Sequence, residues 1–444
     1  MSKIDLESVI ESAPFGRLGW LVLVLTTLAL VFDGFDIQSI AFAAPALFHD
    51  WAISKANLSG VLAWGLIGMA VGALAIGEIG DRFGRRWATI LSLAVIAIAT
   101  FYTARAQNLS ELALWRGLAG IGLGGTLPNA TALIVEFSNR KTRNLAVAVT
   151  VVGVPIGGLL GAALAAPIVP TYGWRGIFIL GAVLPALLAV WAFFGLPESP
   201  RFLATRPQRS ADLARLMNRV VGASRFSADD RWFLSGSEQI RHGVRELFRP
   251  VYAYNTIMIW LVFMTNVLTV YSFFNWTPAL LSGAGLAVPA AIKGSLYFNL
   301  GGCVGAVGGA WIMGRLGSRV VIGGLGAIGV VAVFWLGQLH IDATMALWPL
   351  YALMAVAGGC ISGLQVNMYT VCAAAYPTHL RATGIGAGLA NARLGGIFSA
   401  FTGPFLLSFG GGLSTFFTGL SGVLFLTFIA AMLMRCHLEP AKAS

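Results

Sequence analysis

Four charged side chains stand in stretches of this sequence that are otherwise apolar. Asp33 and Asp36 lie in the run 18–42, Arg116 in the run 111–135 and Arg393 in the run 384–409. At the centre of a membrane span each such charge costs about 2.5–3.5 kcal/mol on insertion scales, so retention points to use. Asp33 and Asp36 are three residues apart and share one helical face. Two carboxylates crowded into a medium of low dielectric form a candidate site for taking up and releasing a proton; the alternative is a structural pair near the membrane surface. A guanidinium presents a planar fork that matches a carboxylate and keeps its charge. Arg393, followed by Gly395 and Gly396 that would open space beside it, is the stronger candidate for holding an anionic ligand. Arg116 either shares that role or pairs permanently with a first-span aspartate.

Other residues extend these candidates. Gln365 and Asn367 in the run 346–371 either hydrogen-bond a ligand hydroxyl or join helices. Phe273 and Trp276, flanking Phe274 and Asn275, either stack on an aromatic ring or belong to an interfacial belt. Glu136 lies near Arg140 and Arg143 and reads as a gate residue rather than a proton site. An enzyme would need a nucleophile with its base, or a metal constellation. Cys303, Cys360, Cys372 and Cys436 lack CxxC spacing, and His49, His242, His340, His379 and His437 fall in loops or at helix ends. No catalytic residue, cofactor, metal site or disulfide is expected.

The elements that position these residues are spans. Of the 444 residues, 57% are hydrophobic and 11% charged, with a mean hydropathy of +0.80; a soluble domain has roughly 25% charged residues. Runs of about 20 apolar residues occur at 18–42, 58–78, 87–105, 111–135, 145–168, 174–195, 252–280, 288–313, 320–338, 346–371, 384–409 and 413–435. The first run is too long for a signal peptide, carries two aspartates and precedes eleven more, so it reads as a retained helix. Besides Arg116 and Arg393, 23 cations fall at the termini and in alternate loops, against Lys55, Arg105, Arg175 and Lys293 in the opposite loops or at the span ends beside them. That asymmetry predicts both termini in the cytoplasm, and its spread around helix ends excludes a nucleic-acid surface.

The organisation predicted is a six-helix bundle over 1–195, a cytoplasmic linker over 196–250 and a second six-helix bundle over 251–444. Leu213, Leu216, Met217 and Val220 after Ser210 predict a short amphipathic helix in the linker, lying at the membrane interface. The halves repeat one another. Pro45-Ala46-Leu47 recurs as Pro278-Ala279-Leu280, and Asp81-Arg82-Phe83-Gly84-Arg85-Arg86 as Gly314-Arg315-Leu316-Gly317-Ser318-Arg319, both 233 residues on; Gly120, Asn129, Arg143 and Gly157 find Gly358, Asn367, Arg381 and Gly395, 238 on. Parallel six-helix repeats are the plan of a rocking carrier.

The run Gly77-Glu78-Ile79-Gly80-Asp81-Arg82-Phe83-Gly84-Arg85-Arg86 and the fourth-span pattern Arg116, Gly120, Gly122, Gly124 resemble the major facilitator superfamily. The resemblance implies an all-α membrane fold of twelve transmembrane helices in two pseudo-symmetric bundles. It also implies a cytoplasmic gate built from Gly77, Asp81, Arg82, Gly84, Arg85, Glu136 and Arg143, with Asp81 and Arg143 as the proposed partners; a plain topogenic turn is the alternative. Asp33-Gly34-Phe35-Asp36, Pro197-Glu198-Ser199-Pro200-Arg201-Phe202 and Tyr376-Pro377-Thr378 with Arg381-Ala382-Thr383-Gly384 are similar to the aromatic acid:H+ symporters within that superfamily. That likeness implies import of a benzoate-like or hydroxybenzoate-like acid with protons, in a bacterial cytoplasmic membrane, by a monomer. Carriage of another organic anion, a sugar or an organic cation is the rival; two buried arginines count against cations.

Overall fold

The computed structural model describes residues 3–227, 229–234, 244–342 and 345–439; Arg241, His242 and Lys442, assigned above to the linker and tail, lie outside them, as do the side chains of Lys3, Thr378, His379 and Ala382. A short strand β1 (Lys3–Asp5) leads into α1 (Leu6–Ser12), whose start is capped by the Asp5 carboxylate. Then come α2 (Arg17–Trp51), α3 (Lys55–Phe83), α4 (Arg85–Arg105), α5 (Leu109–Glu136) and α6 (Arg143–Gly195). The linker forms α7 (Pro200–Ala204), α8 (Ser210–Val221) and β2 (Arg231–Phe233). The second half forms α9 (Pro250–Gly283), α10 (Val288–Leu316), α11 (Ser318–Gln338), α12 (Leu347–Ala375), α13 (Thr378–Leu407) and α14 (Gly412–Leu433).

Among the described residues, ten helices are long and apolar enough to cross a membrane. One of them, α6, runs for 53 residues with Gly173 at φ 71°, ψ 177° in its middle, so two expected spans are joined at a glycine break. The 30-residue α13 supplies the twelfth. By its internal contacts the chain groups into two units. One comprises Met1–Ile37, Ile67–Gly157 and Phe178–Gln239; the other comprises Gln38–Leu66, Gly158–Ile177 and Ile240–Ser444.

In the first unit, the linker departs from expectation. The apolar face of α8 does not lie at a membrane interface: Leu213, Leu216 and Met217 join Leu6 and Ile10 of α1, Leu18 and Val22 of α2, and Leu133 and Ile134 of α5 in one buried cluster. β1 pairs in parallel with β2, Lys3 opposite Arg231. Once α1 and β1 cover the bundle end, an amphipathic helix can satisfy its apolar stripe within the protein. In the second unit, Gln38 and Asn299 exchange amide hydrogen bonds at 3.1 and 2.9 Å, both buried.

The spans are brought together by glycines at which one backbone touches another, the packing that lipid-embedded helices favour in place of a hydrophobic drive. A Cβ at Gly68 or Gly72 of α3 would meet the carbonyls of Gly117 or Ile121 in α5; at the corresponding Gly301 and Gly305 of α10 it would meet those of Ala355 and Gly359 in α12. Likewise Gly157 of α6 rests on the Val31 carbonyl of α2, and Gly395 of α13 on the Met264 carbonyl of α9. Both members of each pair shift by the offsets of the repeat, 233 and 238, so the halves share their packing plan. Gly395 is therefore occupied by α9 and does not open space beside Arg393. Gly157→Val and Gly395→Val should each lower the melting temperature in detergent, costing about 1–3 kcal/mol by overpacking. Gly60→Val, where a Cβ meets nothing within 4 Å, should change it little; equal melting of all three would refute this packing.

Candidate functional site

The first unit holds a buried acid–base cluster. Arg116 of α5 donates Nη1 to Asp36 Oδ2 at 2.9 Å and Nη2 to the Asp36 backbone carbonyl at 3.1 Å. Thr100 of α4 donates its hydroxyl to Asp36 Oδ1 at 2.9 Å, and the Phe178 ring of α6 lies 5.8 Å from the guanidinium carbon. Asp33, one turn before Asp36 on α2, is buried with them; none of the three charged residues is more than 4% exposed. Of the two roles open to Arg116, the geometry realises the pairing with α2. Thr100 and Phe178 carried no signal in the sequence, because a threonine or phenylalanine in an apolar span is ordinary until its neighbour is known.

The second unit holds a polar chain among aromatic rings. Asn266 of α9 donates to Gln365 Oε1 of α12 at 2.7 Å and to the Ile361 carbonyl at 3.3 Å; Gln365 donates onward to the Tyr369 hydroxyl at 3.2 Å. The Tyr369 ring lies 5.4 Å from that of Phe263, and its hydroxyl is within electrostatic reach of Arg393 on α13. Arg393 is half-buried and, among the described residues, has no carboxylate partner. Tyr369 was missed, although its place four residues after Gln365 puts it on the same helical face.

The remaining candidates separate from that chain. Asn367 donates to the Gly363 carbonyl within α12 and packs on Gly309 of α10, so it joins helices. Phe273 stacks on Phe298 at 4.8 Å, and Trp276 donates to the Ser399 carbonyl at 3.0 Å against Gly403. Both rings are enclosed in helix packing, with at most 1% exposed.

The loop signature forms a charge network in the first unit. Asp81 pairs with Arg85, whose Nη1 donates to Asn129 Oδ1 at 3.1 Å, and Glu78 pairs with Arg82 at 2.5 Å. Arg143 donates to the Ser138 carbonyl at 3.3 Å; among the described residues no bond joins it to Asp81. An i,i+4 partner is the nearer one on a helix. Gly77 faces open space, and Gly84 takes φ 107°, which only glycine adopts freely. The Glu198 carboxylate lies against Gly84 and accepts the amides of Arg86 at 3.1 Å and Ser199 at 2.8 Å, while the Ser199 hydroxyl donates to Glu136. Sequence reading used Glu198 and Ser199 only as marks of resemblance; here they bind the loop to the end of α5. Burial pushes the Glu198 carboxyl above the ordinary value near 4.5, with the amides of Ser199 and Arg86 and the charges of Arg209 and Arg86 pulling it back.

Helices of membrane-spanning length, packed twice to one plan around buried charges, define a polytopic transporter. The chain belongs to the Major Facilitator Superfamily, whose family model matches residues 26–400. It is 35% identical over 416 residues to a gallate transporter of Pseudomonas putida, covering 94% of this chain and 91% of that one. It is 33% identical over 412 residues to the 4-hydroxybenzoate transporter PcaK of the same organism, covering 92% and 90%. The fold is also that of the xylose transporter XylE from E. coli in a partially occluded inward open conformation, with a TM-score of 0.72 at 16% identity over 94% of this chain and 97% of that one.

Removing Arg116 would leave Asp36 buried without its cation, so Arg116→Ala should destabilise the protein by about 3–5 kcal/mol. The double variant Asp36→Asn with Arg116→Gln should recover part of that loss; additive losses in denaturant melts would refute direct coupling. For Glu198 the folded chain holds its proton to higher pH than the unfolded chain. Its contribution is therefore most favourable below the ordinary carboxylate value and declines as pH rises from 4.5 through the raised folded value. Glu198→Gln should remove that decline from melting curves recorded from pH 4.5 upward; parallel curves for wild type and variant would refute it.

Proposed function

We propose that the protein imports an aromatic carboxylate, benzoate-like or hydroxybenzoate-like, together with protons. It does so by alternating access as a monomer in the bacterial cytoplasmic membrane, with both termini in the cytoplasm. The observation that carries this reading is Arg393, a guanidinium in a spanning helix without an acidic partner among the described residues, beside Tyr369, Gln365, Asn266 and the Phe263 ring. A fork for a carboxylate, hydrogen-bonding groups for ring hydroxyls and aromatic faces for the ring are the features such an acid needs. The names of the similar transporters favour the same substrate class. A sugar needs no guanidinium, and a cation would be repelled by one.

The buried carboxylates support the coupling. Asp33 and Asp36 stand on one turn of α2, both buried. Asp36 is bound by Arg116 and Thr100, and we assign the transported proton to Asp33. A proton there removes one negative charge from the interior, which favours binding of the substrate anion. Proton loss on the opposite side restores that charge and expels the acid. The asymmetry of basic loops supports the orientation.

Asp33→Asn should abolish accumulation of labelled 4-hydroxybenzoate against its gradient in proteoliposomes while sparing exchange. Accumulation at the wild-type level would remove the assignment. Affinity for the ionised acid should rise as pH falls in wild type and respond weakly in that variant. Arg393→Lys should lose roughly tenfold or more in affinity for the acid, since a point charge replaces the fork. Thermal shifts with benzoate, glucose and a quaternary amine test the substrate class: stabilisation by benzoate alone is expected, and stabilisation by glucose or the amine alone would overturn it.

A further inference from the structure

The internal repeat exposes a missing anion in the second unit. Gly317 adopts φ 80°, ψ 164°, close to the φ 107°, ψ 149° of its counterpart Gly84, and Arg319 stands where Arg86 stands in the first half. The ends of α6 and α14 correspond as well: Leu196 and Met434, 238 apart, are both extended C-caps. Two residues beyond Leu196 comes Glu198, whose carboxylate fills the space over Gly84 and accepts the Arg86 amide. Two residues beyond Met434 comes Cys436, and Pro197 is replaced by Arg435. The second half therefore keeps the glycine turn and its arginine, loses the carboxylate and gains a second guanidinium.

Beside the turn lies a cavity of about 660 Å³ lined by Tyr254, Gly317, Arg319, Arg435, His437 and Glu439, among others, while Cys436 packs against the core cluster that includes Cys372 and Tyr376. Arg435 is held there: its guanidinium lies 4.5 Å over the Tyr254 ring, whose hydroxyl donates to the Leu433 carbonyl at 3.0 Å, and its amide donates to Asn255 at 2.9 Å. Among the described residues neither Arg319 nor Arg435 has a carboxylate partner. Glu439 is exposed at the rim and forms no ion pair with either. Burial first, and the Arg319 charge second, push the His437 imidazole below its ordinary value, so it is neutral at pH 7. Its Nδ1 lies 3.3 Å from the Ser318 hydroxyl, which accepts the Leu438 amide. Two guanidiniums thus line a cavity in which, among the described residues, neither has a carboxylate partner.

We propose that this cavity binds the phosphate of an anionic phospholipid from the leaflet on that face of the membrane. A phosphodiester offers oxygens to both forks, and basic pockets at the ends of spanning helices suit such headgroups. A lipid rather than a free anion is indicated by the surroundings: Val320, Leu316 and Leu433 beside the cavity are 52–59% exposed, an apolar rim on which acyl chains can lie. The proposal is independent of the solute carried.

The test is native mass spectrometry of the full chain in detergent with added phosphatidylglycerol, phosphatidylcholine or inorganic phosphate. One phosphatidylglycerol should be retained in preference to phosphatidylcholine, with inorganic phosphate competing weakly. Arg319→Gln combined with Arg435→Gln should weaken retention roughly tenfold or more. Arg319→Lys, retaining the charge, guards against loss through misfolding by keeping most of the binding. Equal retention of both lipids, retention unchanged in the double variant, or tight binding of inorganic phosphate without phosphatidylglycerol would each overturn the assignment.

Discussion

A carboxylate and a guanidinium that could not stand alone in the interior, Asp36 and Arg116, set the terms for the first half of the molecule. Removing two ions from water costs several kcal/mol each even after relaxation, so the geometry that repays the cost is narrowly defined. Both terminal guanidinium nitrogens are spent on one residue, one on its side chain and one on its backbone, and Thr100 takes the remaining carboxylate oxygen. Through these bonds and the Phe178 ring, α2, α4, α5 and α6 are fixed to one point. Asp33, one turn away, is buried beside them.

The two halves are alike in backbone and unlike in chemistry. The glycine contacts recur pair for pair, Gly157 on Val31 and Gly395 on Met264. Such contacts depend on the absence of a side chain, so they survive any change on the other faces of the helices. The charges do not recur: the counterparts of Asp33 and Asp36 are Asn266 and Thr269, and those of Arg116 and Arg393 are Met354 and Pro155. Asn266 stands where the first half has Asp33 and joins the amide chain through Gln365 to Tyr369. One scaffold thus presents ionisable groups in one half and hydrogen-bonding groups with an unneutralised arginine in the other.

Much of this was legible in the sequence because the membrane simplifies the problem. Span length, glycine repeats and charges out of place are one-dimensional signals, and they located α2 to α6, α9 to α14, the repeat offsets, Asp33, Asp36, Arg116 and Arg393. What escaped was partner choice. The apolar stripe of α8 shows that a face must be covered, and only the fold shows that α1 and α5 cover it. Phe273 and Trp276 have the composition of a ring-binding wall, but the direction of their side chains into helix packing is a property of helix rotation. Asp81 has cations both one turn along its own chain and in the next basic run; helical proximity selects Arg85.

The pairing of β1 with β2 has a consequence for biosynthesis. Lys3 is opposite Arg231, so β1 acquires its strand partner only after six spans and most of the linker have been made. Until then the β1 backbone is without its ladder, and Leu6 and Ile10 lack the α8 face that helps bury them. Closure of this end of the bundle is therefore a late event in the life of the nascent chain. The β1–α1 segment acts as a clasp fastened once the linker has been made.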